Sequence, residues 1–485
     1  MEAGPAEIAE ASDPSASSGS TTEASALSRA FWPGLFLVWC LAAALLTAFT
    51  LPPFMGPDEP NHAHRANLLT HGRLIGERIR IGGDLVGGGL IDQELSDASG
   101  WFGGLPFNPG ARVSASAIAA AGGLVWRGRS VEAGFPNTAL YPPILYLPQT
   151  AAFGLGKALG WSVLATTYLA RAANALACAL VGSLALLTAG RCRPLMFTVL
   201  LLPMSTFLFG TITQDGLIIA GSALGCALIS RPMAGGRRMR RAELWAASLC
   251  FALVSMPKIA YAVFGLALLF VPAERSRERW AAALLPGVIS LAWNLWATAQ
   301  VWTPAVFAPA GVDAAAQARR LFADPASVLW IAADTLQTGM PTYLRGFVGV
   351  LGWADTPLPT TYYGIGFAVL AVAVLLTAGR GLGAGWRPLT LIVPLLSALA
   401  AAGIFAVFYL QWSPAGAAQV SGVQGRYFLP MALFAGLALE GSRPLVGSAP
   451  LVRRLRACGQ FALVMFPLVS LATVEHAYIA RYYLT

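Results

Sequence analysis

Charge is scarce in this sequence. Only 11% of its residues are Asp, Glu, Lys or Arg, against 56% hydrophobic ones, and mean hydropathy is +0.63. A water-soluble chain of 485 residues has no way to bury so much apolar surface. Lysine is rarest of the ions, with Lys157 and Lys258 alone among 32 basic residues. The arginines gather in short loops, where membrane orientation accounts for them, so the net charge of +9 is no nucleic-acid footprint. The six cysteines lie inside or at the ends of apolar runs. That placement suggests no disulfide framework and reads them as small buried hydrophobes. Segments of alternating polarity, the mark of a membrane β-barrel, are absent too.

What is present is a succession of apolar runs of roughly 17–25 residues, the length a bilayer core demands of a helix. They predict an all-α, polytopic transmembrane helical bundle. Residues 1–28 are rich in Ser, Ala, Thr and Glu without periodicity and are expected to form a disordered cytoplasmic tail. Residues 29–485 form the integral membrane domain, opening with a retained helix over Phe31–Thr50. Residues 51–140 then form a large first external loop, glycine-rich at Gly82–Gly89 and Gly100–Gly110 and expected to be loop around short surface helices.

Basic clusters occur at Arg191/Arg193, Arg231 with Arg237–Arg241, Arg275–Arg279, Arg380/Arg387 and Arg453–Arg456. Placing all of them in the cytoplasm gives about eleven spans, a cytoplasmic N-terminus and an external C-terminus. Tyr141–Leu159 is then a re-entrant or interfacial helix. Under this sidedness Asp58, Glu59, all the histidines, Asp215, Lys258, Arg345, Asp355 and Arg426 face outside. A site opening on the external side follows.

The densest ionisable group comes directly after the first run: Pro57-Asp58-Glu59-Pro60-Asn61-His62-Ala63-His64-Arg65. The prolines up to Pro57 deny the backbone a helix, and Pro60 disfavours helical geometry at Glu59. Neighbouring carboxylates at an interface can serve as general base and as metal or substrate ligand. The plainer alternatives are a solvated acidic turn, or an Asp that caps the helix beginning near Asn61. On such a helix His62 and Arg65 share a face, where they can contact a phosphate or hydroxyl; the alternative is an interfacial helix dressed with polar residues. No third ligand accompanies the histidines, so the spacing is not that of a zinc site.

Further along, Tyr141-Pro142-Pro143-Ile144-Leu145-Tyr146 closes the loop, either as an interfacial station or as a plain helix start. Lys258 lies in a very short gap between apolar runs. An ionisable group at such depth is a functional candidate that can meet a phosphate, or else a snorkelling anchor. In Gly422-Val423-Gln424-Gly425-Arg426-Tyr427 the glycines permit close approach and the arginine offers a fork for phosphate. Asp215, Arg345 and Asp355 are weaker, each readable as a turn or an anchor.

In order along the chain, several motifs carry a resemblance. They are Pro57-Asp58-Glu59-Pro60-x-His62-x-x-Arg65, Tyr141-Pro142-Pro143, Lys258 near Tyr261, Gly352-Trp353-Ala354-Asp355-Thr356-Pro357-Leu358-Pro359, and Gln424-Gly425-Arg426-Tyr427-Phe428-Leu429-Pro430. They resemble the bacterial multi-pass family catalogued as domain of unknown function 2142, over roughly Phe31 to Tyr483. That family is similar in layout to the GT-C superfamily of glycosyltransferases, which use polyprenyl-phosphate-linked sugars on the external face. The likeness implies that Asp58 activates the acceptor, with Glu59 beside it. It implies that Arg426, Lys258 and Arg345 grip the lipid phosphate. A departure from the peptide-reading oligosaccharyl transferases is also expected, since no large soluble domain follows the last span before Thr485.

The resemblance therefore implies a GT-C-like membrane glycosyltransferase of the bacterial cytoplasmic (inner) membrane. It would move a sugar from a polyprenyl-phosphate donor to a surface glycan or lipid acceptor. Asp58 and Glu59 are its candidate catalytic pair. His62, Arg65, Tyr141, Lys258, Arg345, Gln424 and Arg426 are the candidate contacts to substrate or phosphate. No metal-ligand set is assigned, and a divalent cation near Glu59 stays open as a cofactor. The rivals are a transporter or flippase of a lipid-linked saccharide, which calls for charge near the bilayer midplane, and a non-catalytic envelope-complex protein.

Overall fold

The structure is a computed structural model that describes residues 16–303, 310–441, 443–444 and 450–484. Helix α1 runs Ala16–Thr50. Of the expected disordered tail, residues 1–15 lie outside the described residues, whereas from Ala16 the chain is helical straight into the apolar run.

The large first loop is folded. It holds α2 (Glu59–Thr70), β1 (Glu77–Ile81), β2 (Asp84–Asp92), α3 (Gln93–Gly100), α4 (Ala115–Gly123) and β3 (Ser130–Gly134). The strands pair antiparallel in the order β1-β2-β3, with Ile79 opposite Val86 and Gly89 opposite Ala133. This sheet corrects the expectation of loop around surface helices. Gly82 and Gly83 both take positive φ, 59° and 97°, and so make the two-residue hairpin turn between β1 and β2. Glycine density here marks a tight turn and a close-packed strand.

A 3-10 turn over Pro143–Tyr146 leads into α5 (Leu147–Ala158), whose 12 residues are too few to cross a bilayer. Then come α6 (Val163–Thr188), α7 (Arg193–Leu200), α8 (Pro203–Phe209), α9 (Asp215–Ala234), α10 (Arg241–Ser255), a 3-10 helix over Ile259–Phe270, and α11 (Glu278–Val301). After α12 (Ala314–Ala323) and α13 (Ser327–Val348), a small hairpin of β4 (Val350–Leu351) and β5 (Thr356–Pro357) precedes α14 (Thr360–Thr377). Strand β6 (Gly379–Arg380), α15 (Arg387–Gln411), α16 (Leu429–Ala435), β7 (Arg443–Pro444) and α17 (Pro450–Tyr482) complete the described chain.

Among the described residues, 7 helices are long and apolar enough to cross a membrane: α1 from Ala30, α6, α9, α11, α14, α15 with its lead-in from Ala384, and α17. Side chains such as Leu391 (79% exposed) and Leu295 (64%) point outward from them, as lipid-facing residues do. The remaining apolar runs behind the higher expected count make shorter pieces. Pro203 divides one run into α7 and α8; another gives the 15-residue α10; Ile259–Phe270 winds as 3-10 helix. Hydropathy alone registers apolar residues, whereas proline decides where their helix must stop.

The bundle has two distinct ends. At one, Tyr483 Oη donates to Thr50 O (2.8 Å) and the Val113 amide donates to Tyr482 O (3.0 Å), so α1 and α17 both finish against the folded loop. The Arg78 guanidinium ties β1 to the end of α11 through Ala299 O and Trp302 O. At the other end the Arg191 amide donates to Glu440 (2.6 Å), Met239 pairs with Pro272, and β6 pairs with β7. The basic clusters gather at this second end.

Candidate functional site

The segment from Leu51 to Pro57 leaves α1 and turns inward, buried throughout. Arg171 of α6 holds it there. Its Nη1 donates to Ala48 O (2.9 Å) and Leu51 O (2.8 Å), and its Nη2 donates to Pro52 O (2.9 Å). The same guanidinium grips Glu59, Nε to Oε1 at 2.8 Å and Nη2 to Oε2 at 2.6 Å. Backbone amides of Gly56 and Ile212 donate to the Glu59 carboxylate at 2.8 Å each. Glu59 was expected in the site beside Asp58. Its carboxylate is instead enclosed by four donors and turned into the protein, which suits a positioning residue and leaves no face for a metal ion or a substrate.

Asp58 points the other way. It occupies the residue before α2 with φ 54° and ψ 22°, a left-handed conformation uncommon outside glycine. Its side chain makes no capping bond, which sets aside the plain helix-cap alternative. Asn137, whose side-chain oxygen accepts from Asn61 Nδ2 (2.7 Å), lies beside the Asp58 carboxylate. Burial raises the Asp58 pKa above the ordinary carboxylate value, against the opposing pull of Arg426 and Lys258.

Those two cations come from distant parts of the chain and meet on Asp215. Lys258 Nζ lies 2.6 Å from Asp215 Oδ1 and Arg426 Nε lies 3.2 Å from Oδ2. Tyr427 backs both, with Lys258 Nζ 4.3 Å and Arg426 Cζ 5.3 Å from its ring centroid. Tyr261 Oη donates to Tyr427 O (2.8 Å) and fixes the turn. Gly425 is needed at its position, because a Cβ there would stand 2.2 Å from Tyr343 O and 2.3 Å from Phe347 N of α13. Without a side chain the backbone nests on α13 and delivers Arg426 inward.

His62 borders the cluster from α2. Its Nδ1 pairs with Tyr146 Oη at 2.6 Å, and its ring stacks on Tyr141 with centroids 6.3 Å apart and planes 13° apart. Burial pushes its pKa down to about 3, so the ring is neutral at physiological pH. Arg65 was expected to meet a phosphate, but it is wholly buried, with Nε and Nη2 bonded to backbone and Nη1 without a hydrogen-bond partner. Its Nη2 donates to Tyr141 O (2.7 Å) and Leu74 O (2.6 Å), which anchors the Tyr141-Pro142-Pro143 turn. Arg345 is exposed on α13 over the Tyr363 ring, centroid 6.0 Å away, apart from the cluster. Gln424 enters through its backbone, its carbonyl accepting from the Tyr427 amide (3.1 Å).

The structure thus brings together Asp58, His62, Tyr141, Lys258 and Arg426, and leaves Glu59, Arg65 and Arg345 outside. Asn137 and Arg171 were missed by sequence reasoning. Asn137 carries no charge to mark it. Arg171 did carry a signal, as an ion within the apolar run of α6. Among the described residues no group of three or more His, Cys, Asp or Glu side chains is placed to hold a metal ion.

A bundle of membrane-length helices with a folded loop over one end and a buried ionic cluster beneath it defines a multi-pass integral membrane protein. Residues 41–435 match the family described as Predicted membrane protein (DUF2142), and the chain belongs to that family. No curated protein and no solved structure matches it.

Proposed function

We propose that the protein is a GT-C-type glycosyltransferase that moves a sugar from polyprenyl phosphate to a surface glycan or lipid. The observation that carries this is the placing of a half-buried Asp58 near two cations held on one carboxylate. Asp215 occupies the space between Lys258 and Arg426 as a phosphate oxygen would, and the arginine fork and lysine point charge suit a lipid phosphate. Asp58 takes the proton from the acceptor hydroxyl, whose oxygen attacks the anomeric carbon. The bond from that carbon to the phosphate oxygen breaks, its electron pair leaves with the lipid phosphate, and Lys258 and Arg426 stabilise the charge. Neutral His62 orients substrate, while Glu59 and Arg171 position the loop that carries Asp58.

The gathering of the basic clusters at the opposite end supports a cytoplasmic location for that end, an external site and a cytoplasmic N-terminus, by the positive-inside rule. A bacterial inner membrane fits this arrangement. The test is native mass spectrometry of the purified full chain with farnesyl phosphate. Wild type retains the lipid phosphate, and Lys258→Met and Arg426→Ala each weaken retention by roughly tenfold or more. Equal retention by all three proteins sinks the phosphate assignment.

A further inference from the structure

The Gly352-Trp353-Ala354-Asp355 motif takes no part in the ionic cluster, and neither does the chain between α3 and α4. Together they border a half-open pocket of about 310 Å³ beside the Asp58 loop, walled by Phe54, Met55, Pro60, Phe102, Phe107 and Trp353. Phe107 and Trp353 meet edge to face with centroids 6.0 Å apart, and Phe54 and Phe102 are tilted at the same separation. None of the residues lining the pocket is charged.

The walls are fixed from behind. Trp353 Nε1 donates to Phe54 O (3.2 Å). Asp355 Oδ1 accepts from the Trp353 amide (3.2 Å) and Oδ2 from the Phe107 amide (2.9 Å), with Arg481 of α17 at 3.4 Å from Oδ2. Gly352 has φ +63°, and a Cβ there would stand 2.5 Å from Asp355 Oδ1 and 2.6 Å from the Tyr482 hydroxyl. Glycine is what lets one carboxylate hold both aromatic walls. The backbone is also strained here. Phe54 (φ 65°), Phe107 (57°) and Ala354 (63°) accompany Asp58 as the non-glycine residues of positive φ among the described ones. Bulky side chains keep such angles only where their surroundings enforce them, and functional sites are where that happens.

We propose that this pocket is the acceptor subsite and that it holds a single pyranose ring with its C–H face against the aromatic walls. The proposal rests on the transferase reading of Asp58. Its size lies at the lower end of small-molecule sites, enough for one sugar ring and too small for a polyprenyl chain. The uncharged lining turns away a phosphate or carboxylate, which would be desolvated without a partner. Pro60 belongs to both the pocket wall and the Asp58 motif, which sets the pocket next to the turn that carries the base.

The test is saturation-transfer difference NMR on the full chain in nanodiscs, with a panel of methyl pyranosides and farnesol as competitor. The expected result is saturation of ring C–H protons for at least one pyranoside. Phe107→Ala and Trp353→Ala reduce that signal by about fivefold, and Trp353→Phe retains it. Phe107 is 68% exposed, so its variant keeps the fold, which a thermal melt verifies. Asp58→Asn leaves the signal in place, because the base is not part of the walls. Saturation that is absent, indifferent to both alanine variants, or displaced by farnesol overturns the proposal. A persistent signal beside an unchanged glycan phenotype for Asp58→Asn removes the transferase reading and the acceptor role with it, and leaves pyranose binding by the pocket standing, since binding is measured without turnover.

Discussion

Arg171 and Glu59 meet in complete burial although 112 residues separate them in the chain. One end of the pair gathers the carbonyls where α1 stops, and the other fixes the first residue of α2. The sharp turn that presents Asp58 is therefore held by a contact to α6.

Removing one member of a buried ion pair costs about 3–5 kcal/mol, because the other charge is left desolvated. Arg171→Ala and Glu59→Ala should each lower the thermal unfolding midpoint strongly, measured by size-exclusion chromatography of heated samples. A Glu59→Ala protein that melts like wild type but has lost activity would instead give Glu59 a chemical role.

His62 and His64 set the acid behaviour. Burial lowers their pKa values to about 3 and about 4, below the unfolded value of 6.5. The unfolded chain therefore binds protons first as pH falls. The stability these rings contribute is intact above pH about 6.5 and declines below it, by up to about 1.4 kcal/mol per pH unit for each ring. Both nitrogens of His64 lack partners, so His64→Leu should raise the melting midpoint at pH 5 more than at pH 8. An equal shift at both pH values would contradict the buried neutral ring.

Asp58 has the opposite linkage. Its folded pKa is raised, so its contribution to stability is full below the ordinary carboxylate value of about 4 and is lost as pH rises through the folded value. Asparagine tolerates left-handed backbone and removes the charge. Asp58→Asn should thus melt at the same temperature as wild type near pH 4 and higher than wild type at pH 7.5. A lower midpoint at pH 7.5 would mean that the carboxylate is stabilising the fold.

The parts of the site legible in the sequence were rare ions at helix breaks: Asp58 after its prolines, Lys258 after Pro257, Arg426 after Gly425. Their partners were less visible. No local pattern reveals that Glu59 faces a guanidinium on α6, or that Arg65 donates to the Tyr141 and Leu74 carbonyls. The membrane character was plain from composition. The division of apolar runs at Pro203, and the sheet built on the Gly82-Gly83 turn, depend on backbone geometry that hydropathy does not carry.

Everything proposed for the site turns on Asp58 acting as the base of a sugar transfer. The most direct measurement is mass spectrometry of surface glycans in a deletion strain carrying wild type, Asp58→Asn or Asp58→Ala, with membrane levels matched. With Asp58 as the base, both variants insert normally and one glycan lacks a single sugar, the loss of the base slowing transfer by roughly 100-fold or more. An unchanged glycan would contradict that role, and a wholly missing glycan with its lipid-linked precursor retained inside the cell would make the protein a transporter.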